Sequence, residues 1–361
     1  MIKISDICII QKKSKIKAGE GKKEGKYKFF TSSNLQTKYL DTFQYNQPAL
    51  IFGTGGNASI HYCEEPFSTS TDCIVLYQKN NSINLKVIYR FFEGNMQILE
   101  NGFKGIGLKH ISKDYILNIS LNYMEDKVQN ELIDVFEKID YLVILRKKQL
   151  EKLDKLVKSC FVEMFGDLIH EKKYQSIPLR KLCKTISGGT PSTKIPEYYN
   201  GNIPWISTVS LGNNHIDGSN AKGYITKNAI EHSATHLIPA GNILFGIRVG
   251  VGKSSLNDVD ICTNQDVVAI IGIDETKYSK LFIKHVLDAY QPHFCNIKKG
   301  ATILGITTDD LKNSLIPQVP IKLQKNYEKF VYQVDKQKLT IQQSLDKLEI
   351  LKKALMQQYF G

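Results

Sequence analysis

Gly250-Val-Gly-Lys253-Ser254 is the stretch closest to a nucleotide-binding loop, in which glycine N–H groups cradle phosphate and Lys-Ser reaches the outer phosphates and magnesium. The pattern Gly-x4-Gly-Lys-Ser needs glycine at 247, where Ile247 stands, and Gly246 is one residue too far. One reading that remains is a strand-to-strand turn whose Lys253 would touch nucleic-acid phosphate. Phe52-Gly-Thr-Gly-Gly56 has the glycine density of a methyl-donor loop. The chain has no Pro-Pro dipeptide, however, so it contains neither Asn-Pro-Pro-Tyr nor Asp-Pro-Pro-Tyr for adenine methylation. His232 and His236 are four apart, as in a zinc pair on a helix, but the remaining ligands are missing, and they read as surface or packing residues. Glu20-Gly-Lys22 matches the Glu-x-Lys fragment of nucleases without its upstream Pro-Asp. No catalytic or metal-binding residue is assigned.

Charge points to a polyanion instead. The 361 residues carry 48 Lys plus Arg against 36 Asp plus Glu, a net charge of +12. Residues 1 to 30 hold nine Lys against Asp6, Glu20 and Glu24, or 9 − 3 = +6, half of the excess. Such a segment can neutralise phosphates and release counterions. The competing reading is a solvated loop from Lys12 to Lys28 in a chain whose lysines reflect composition. Base contacts come from polar and basic side chains, while Lys and Ser/Thr contacts to phosphate mainly position a protein. The candidates are Lys12, Lys13, Lys15, Lys17, Lys22, Lys23, Thr54 and Asn57 in the first half, and Thr190, Ser192, Lys194, Ser207, Arg248, Lys253, Ser254, Lys298 and Lys299 in the second. Arg248 is the foremost, since its fork can address guanine N7 and O6; the alternative is a salt bridge to Asp258 or Asp266. Trp205 reads as a core anchor. Lys104 and Lys109 read equally well as solvated.

These residues need elements to hold them, and the chain repeats. Residues 129–166 align without gaps onto 324–361 at an offset of 195, with nine identities in 38 pairs, among them Gln129 with Gln324, Asp140 with Asp335, Phe165 with Phe360 and Gly166 with Gly361. Phe136, Ile139, Val143, Arg146, Leu150, Leu153, Val157, Cys160 and Met164 follow steps of three and four. So do Val331, Val334, Lys338, Ile341, Leu345, Leu348, Lys352, Leu355 and Tyr359. Both segments read as long helices with a coiled-coil seam, each reaching roughly 50 to 60 Å at 1.5 Å per residue. Arg146, Lys338 and Lys352 interrupt the seam and can set its register or partner.

A globular segment precedes each helix, and the two are distantly alike. Ile4-Ser-Asp-Ile-Cys8 parallels Leu179-Arg-Lys-Leu-Cys183, Pro48 to Gly56 parallels Ala240 to Arg248, Ser70-Thr71-Asp72 parallels Asn264-Gln265-Asp266, and Gly102 to Gly107 parallels Gly300 to Gly305. The expected organisation is a first globular domain at 1–125, a long helix at 126–166, a linker at 167–175, a second globular domain at 176–322 and a second long helix at 323–361.

With these segments in place, the chain resembles the specificity (S) subunits of type I restriction-modification systems over essentially its whole length. In the second half the resemblance rests on Leu182, Ser187-Gly-Gly-Thr-Pro-Ser192, Ile203-Pro-Trp-Ile-Ser207, Gly241-Asn-Ile-Leu-Phe-Gly246, Thr263-Asn-Gln-Asp266, Gly305-Ile-Thr307, Ile316-Pro-Gln-Val-Pro320 and the terminal Tyr359-Phe360-Gly361. The first half departs from this pattern: it lacks Gly-Gly-Thr-Pro, and Ile119-Ser-Leu121 stands where the second copy has Pro317 and Pro320. The resemblance implies a mixed α/β fold with two target-recognition domains, held apart by two long antiparallel coiled-coil helices in a pseudo-twofold repeat. Each domain would read one half of a split, asymmetric site in double-stranded DNA. It implies no catalytic centre and no cofactor in this chain, with S-adenosylmethionine held by partner methyltransferase subunits, two of them, and a restriction motor-nuclease subunit where the system has one. The rivals are a helical-rod adaptor joining two protein-binding modules and a fused enzyme with its own methylation or cleavage activity.

Location follows from simple exclusions. Aliphatic runs such as Val267 to Ile271 fall far short of the roughly 20 residues of a membrane span. Met1 to Ile10 carries Lys3 and Asp6 and lacks the pattern of a secretory leader. Seven cysteines without a Cys-x-x-Cys pair fit reduced core thiols. The expectation is a cytoplasmic protein without membrane association.

Overall fold

The computed structural model describes residues 1–105, 107, 109–167, 173–300 and 303–361. Residues 168–172 of the expected linker lie outside the described residues, as do 106, 301 and 302 within the glycine segments paired above. The chain divides into two compact units, Met1–Leu150 with Thr340–Gly361, and Glu151–Leu339. The two long helices run from Asp126 to Phe165 and from Ile321 to Phe360, so each unit takes one half of each.

In the first unit a four-stranded antiparallel sheet has the order Cys8–Ile10, Cys73–Gln78, Ala49–Gly53, Ser59–Cys63. Ala49–Gly53 is buried on both faces: Leu50 and Phe52 enter the core beneath helix Leu85–Gly94, while Ala49 and Ile51 enter a smaller one with Phe30, Phe67 and Val75. That is why the strand reads as an uninterrupted apolar run rather than an alternating one. A three-stranded sheet of Lys38–Leu40, Tyr27–Phe30 and Phe67–Thr69 stands beside it. The second unit repeats the arrangement: Lys184–Ser187, Val267–Ile271, Ile243–Gly246, Ser254–Asn257, then the edge strand His215–Ile216. Its small sheet joins Gly223–Ile225, Ile203–Ile206 and Cys262–Thr263. The fold is mixed α/β, duplicated within the chain.

The offset of 195 extends from the helices into the globular parts. Helix Leu85–Gly94 is matched by Lys280–Ala289, and its N-cap Asn84 by Ser279, each side chain accepting a backbone N–H of its first turn. Ser112 and Thr307 cap the next matched pair of helices. Gly105 and Gly300, with φ of +140° and +145°, occupy the same place, so Gly300 corresponds to Gly105 and not to Gly102. The pairing of Gly102–Gly107 with Gly300–Gly305 is thus shifted by three residues. Gly166, at φ +81°, caps the first long helix with its N–H on the Val162 carbonyl, and Gly361 N–H bonds the Gln357 carbonyl at the matched position.

Gln129 and Gln324 explain their own identity. In the first unit Gln129 accepts the Asn84 N–H at 2.8 Å and donates to the Ser82 and Met124 carbonyls at 3.0 and 2.9 Å. Gln324 accepts the Ser279 N–H at 2.8 Å and donates to Lys277 and Val319 at 3.2 and 2.7 Å. All six backbone groups correspond at 195.

The expected seam faces inward along both helices. Phe136, Ile139, Val331, Val334 and Leu345 are buried, and Val143, Leu150, Leu153, Val157, Ile341, Leu348 and Leu355 are half-buried. Two of the three charges that interrupt it pair with carboxylates. Lys338 bonds Asp154 at 2.6 Å in the second unit; Lys352 bonds Asp140 at 2.8 Å and Glu93 at 3.0 Å in the first. Arg146 donates to Gln149 on its own helix. Arg90 completes the first-unit cluster by donating to Glu93 and Asp140. Burial alone would raise the Asp140 pKa, but the bonds from Lys352 and Arg90 outweigh it and hold the carboxyl below its ordinary value.

Candidate nucleic-acid interface

Strand register decides which loops meet. In the second unit Ser187 lies opposite Val268, Gly246 opposite Val267 and Phe245 opposite Ser254, so loops 188–194, 247–253 and 264–266 leave the sheet at one end. There Arg248, half exposed, lies with Nη1 at 3.9 Å from the Asp266 carboxylate. Asp266 also accepts from Asn264 Nδ2 at 3.1 Å, and Thr190 donates to Gln265. An ion pair that long in water contributes about 0–1 kcal/mol, so Asp266 steers the guanidinium without consuming its donors. The other expected acid, Asp258, is taken by His215 at 2.7 Å. Lys299 sits across Gly305 from Arg248, since Gly305 bridges to both residues.

The turn after Gly246 is closed on itself. Gly252 N–H bonds the Gly246 carbonyl, Gly246 N–H bonds Lys253, and Lys253 N–H bonds Gly250. These three donors are spent within the turn, and the Lys253 side chain is exposed on it. Val249 is held at φ +27°, a left-handed conformation that an L-residue adopts at a cost, on the shoulder that carries Arg248.

Of the other second-unit candidates, Thr190, Ser192, Lys194 and Lys299 are exposed and Lys298 is half-buried. Ser207 and Ser254 are buried and leave the candidate set. Ser254 donates to Asp288 at 2.5 Å, and Asp288 accepts from the buried Lys284 at 2.8 Å. Trp205 is a core residue whose Nε1 donates to the Gly189 carbonyl at 3.0 Å.

In the first unit Ile10, Gly53, Ser59 and Cys73 end or begin their strands on the same side, gathering loops 11–17, 54–58 and 70–72. Thr71 N–H bonds Ile16 and Thr54 N–H bonds Asp72, which ties the three together. Lys12, Lys13, Lys15 and Lys17 are exposed on the first loop, and Asn57 on the second with the half-buried Thr54. Lys22 and Lys23 sit elsewhere, at the small sheet, where Lys22 bridges to Tyr39 and pairs with Asp41 at 2.7 Å. The sequence reading passed over Gln265 and His110, both exposed; His110 Nδ1 donates to the Thr54 carbonyl at 3.1 Å. Burial raises the Cys8 thiol pKa to about 12 and those of Cys73, Cys183 and Cys262 to about 11, so these four are not nucleophiles at neutral pH.

The second unit also holds a polar chain that runs from half-buried to buried groups. Asp335 accepts from Asn214 Nδ2, which fixes the amide so that its Oδ1 accepts from His285 Nε2 at 2.8 Å and Lys284 at 3.0 Å; His285 Nδ1 then accepts from the Tyr327 hydroxyl at 2.6 Å. Burial first, and then the Lys284 charge, hold the imidazole pKa well below 6.5. The folded unit keeps His285 neutral while the unfolded chain takes up a proton near pH 6.5. Stability is therefore fully present above that pH and falls below it, by at most about 1.4 kcal/mol per pH unit. His285→Gln should flatten that slope between pH 7 and 5 in urea titrations followed by Trp205 fluorescence. A slope left unchanged would assign the dependence to other groups.

The fold defines the class: an internally duplicated α/β protein whose two modules each gather polar loops at one end of a sheet. The chain belongs to the family of the type I restriction modification DNA specificity domain, whose model matches residues 1–155 and 171–350. It is 27% identical over 216 residues to the EcoR124I/EcoR124II specificity subunit of Escherichia coli, covering 58% of this chain and 51% of that protein. With the MjaIX specificity subunit of Methanocaldococcus jannaschii it shares 29% identity over 140 residues, 38% of this chain and 32% of that one. The matches thus span about half and about a third of those relatives' lengths. The fold is that of the type I restriction-modification S subunit from M. genitalium, with a TM-score of 0.65 at 14% identity over 99% of this chain and 95% of that one. A chain from a structure describing assembly and conformational transition of the type I R-M system gives 0.58 at 14% identity, over 99% and 96%. No helix among the described residues is long and apolar enough to cross a membrane.

Proposed function

We propose that this chain is the DNA-reading subunit of a type I restriction-modification complex. Each module reads one half of a bipartite, asymmetric site, and the two long helices, as an antiparallel coiled coil, set the gap between the halves. The chain itself carries no chemistry. Two partner methyltransferase subunits supply S-adenosylmethionine and the adenine-N6 methylation, and a restriction subunit, where present, supplies cleavage, all in the cytoplasm. The observation that carries this reading is the duplication: one chain holds two like loop clusters at matched sheet ends, with different side chains on them. The net charge of +12 supports a polyanionic ligand. Tyr141, Leu142, Leu145, Ile350 and Leu351, exposed on the long helices, support protein partners on that surface.

The test is adenine methylation mapped by single-molecule sequencing in the strain that carries this chain, with and without its gene. Loss of one split motif with a fixed spacer is the expected result; unchanged methylation overturns the reading. Arg248→Ala should relax one guanine position in one half-site while assembly persists, since a bidentate arginine–guanine contact discriminates by about 1–3 kcal/mol. An unaltered motif would remove Arg248 from base reading. A protein-binding adaptor would instead show no DNA affinity that falls steeply with salt, and a fused enzyme would methylate or cleave DNA when purified alone.

A further inference from the structure

The duplication singles out a position in the first module that neither composition nor motif marks. Backbone hydrogen bonds set the correspondence. Ile247 N–H bonds the Asp266 carbonyl at 2.8 Å, and the Ile247 carbonyl accepts from Ile306 at 2.9 Å. Thr54 does the same between Asp72, at 2.9 Å, and Ile111, at 3.2 Å. Thr54 and Ile247 are therefore one position of the fold, Gly55 stands where Arg248 stands, and His110 stands where Gly305 stands. Both pairs are bridged across this point, Gly55 with His110 and Arg248 with Gly305.

The side chains are exchanged between the two sides of the bridge. In the second module the long residue is on the loop and its partner is glycine: a Cβ on Gly305 would come within 2.8 Å of Arg248 Cγ and of the Ile247 carbonyl oxygen. In the first module the loop residue is glycine and the partner is histidine, with a Cβ on Gly55 falling 3.2 Å from His110 Cε1. Each bridge holds one large polar side chain lying over one glycine, and each such side chain is exposed. The Thr54 carbonyl can only accept, so His110 Nδ1 carries a hydrogen. In the neutral ring Nε2 is then an acceptor, and it has no protein partner among the described residues.

We propose that His110 is the specificity-determining residue of the first module, on the same bridge as Arg248 in the second but from its opposite side. Through Nε2 it accepts a hydrogen bond from an exocyclic amino group in the major groove, that of adenine or cytosine. The inference rests on the DNA-reading function proposed above and adds to it which residue reads and what it reads. It also gives the asymmetry of the site a local cause, because the same bridge offers a donor fork from its loop side in one module and a single acceptor from its opposite side in the other.

The experiment compares the wild-type gene with His110→Ala, His110→Asn and Arg248→Ala in the strain that carries this chain, each read by genome-wide adenine methylation. His110→Ala should cost roughly tenfold or more in discrimination at one position, a wild-type A or C, in the half-site that Arg248→Ala leaves intact. His110→Asn, which keeps a donor for the Thr54 carbonyl but lacks the reach of Nε2, should relax the same position and so covers the case in which the alanine variant fails to assemble. A wild-type motif in either assembled variant, relaxation at a guanine, or relaxation in the half-site that Arg248→Ala affects would each overturn the assignment. Absence of any split motif in the wild type would instead overturn the proposed function itself.

Discussion

Gln324→Leu is expected to destabilise the second unit by about 3–5 kcal/mol, a large loss for a change of nearly constant volume. The side chain is fully buried and serves three backbone groups from two segments of the chain: the Ser279 N–H and Lys277 carbonyl of one, and the Val319 carbonyl of the other. Leucine fills the space but pairs none of them, and each buried backbone group left unsatisfied costs about 1–3 kcal/mol. The loss falls where helix Lys280–Ala289 begins and the second long helix leaves the globular part. Trp205, the only tryptophan in the chain, lies in this unit, so its fluorescence in a urea titration reads the effect directly. Gln129→Leu should cost a like amount in the first unit, because the six bonds correspond one to one; circular dichroism melts would register it. A loss below about 1 kcal/mol in both variants would show that water replaces the amide and that the matched bonds are not the reason for the matched residues.

Phe165→Ala should cost about 3–5 kcal/mol through a different mechanism. Its ring is fully buried, with centroids of Phe161, Phe282 and Tyr327 at 5.1, 5.0 and 5.4 Å. Removing it opens a cavity walled by aromatic rings that cannot collapse without losing their edge-to-face contacts. The counterpart Phe360 is half-buried and among the described residues has one such contact, with Phe91 at 6.0 Å, so Phe360→Ala should cost clearly less. Equal losses at the two positions would mean that the units pack their helix ends with equal density, contrary to their burial.

Local periodicity and identity made the long helices legible. Steps of three and four marked the inward faces, because a helix writes its buried stripe into residues three and four apart. The offset of 195 was readable for the same reason, through residues such as Gln129 and Gln324 whose chemistry the fold uses twice. Double-sided burial of the central strands was readable as apolar runs.

The candidate interface was legible only in part. Arg248 and the lysines of loop 11–17 could be chosen by type, since exposure and charge go together. Ser254 could not: nothing near it in sequence says that Asp288, 34 residues away and itself held by Lys284, would bind its buried hydroxyl. His110 was hidden because glycine segments matched by composition were three residues out of step, and only strand bridges set the true pairing. The sequence alone determined what is local: two long amphipathic helices, a duplicated order of elements and an excess of positive charge. The tertiary structure decided which loops meet at each sheet end, which hydroxyls are buried and which side chain lies over which glycine, because those depend on hydrogen-bond register between strands distant in the chain.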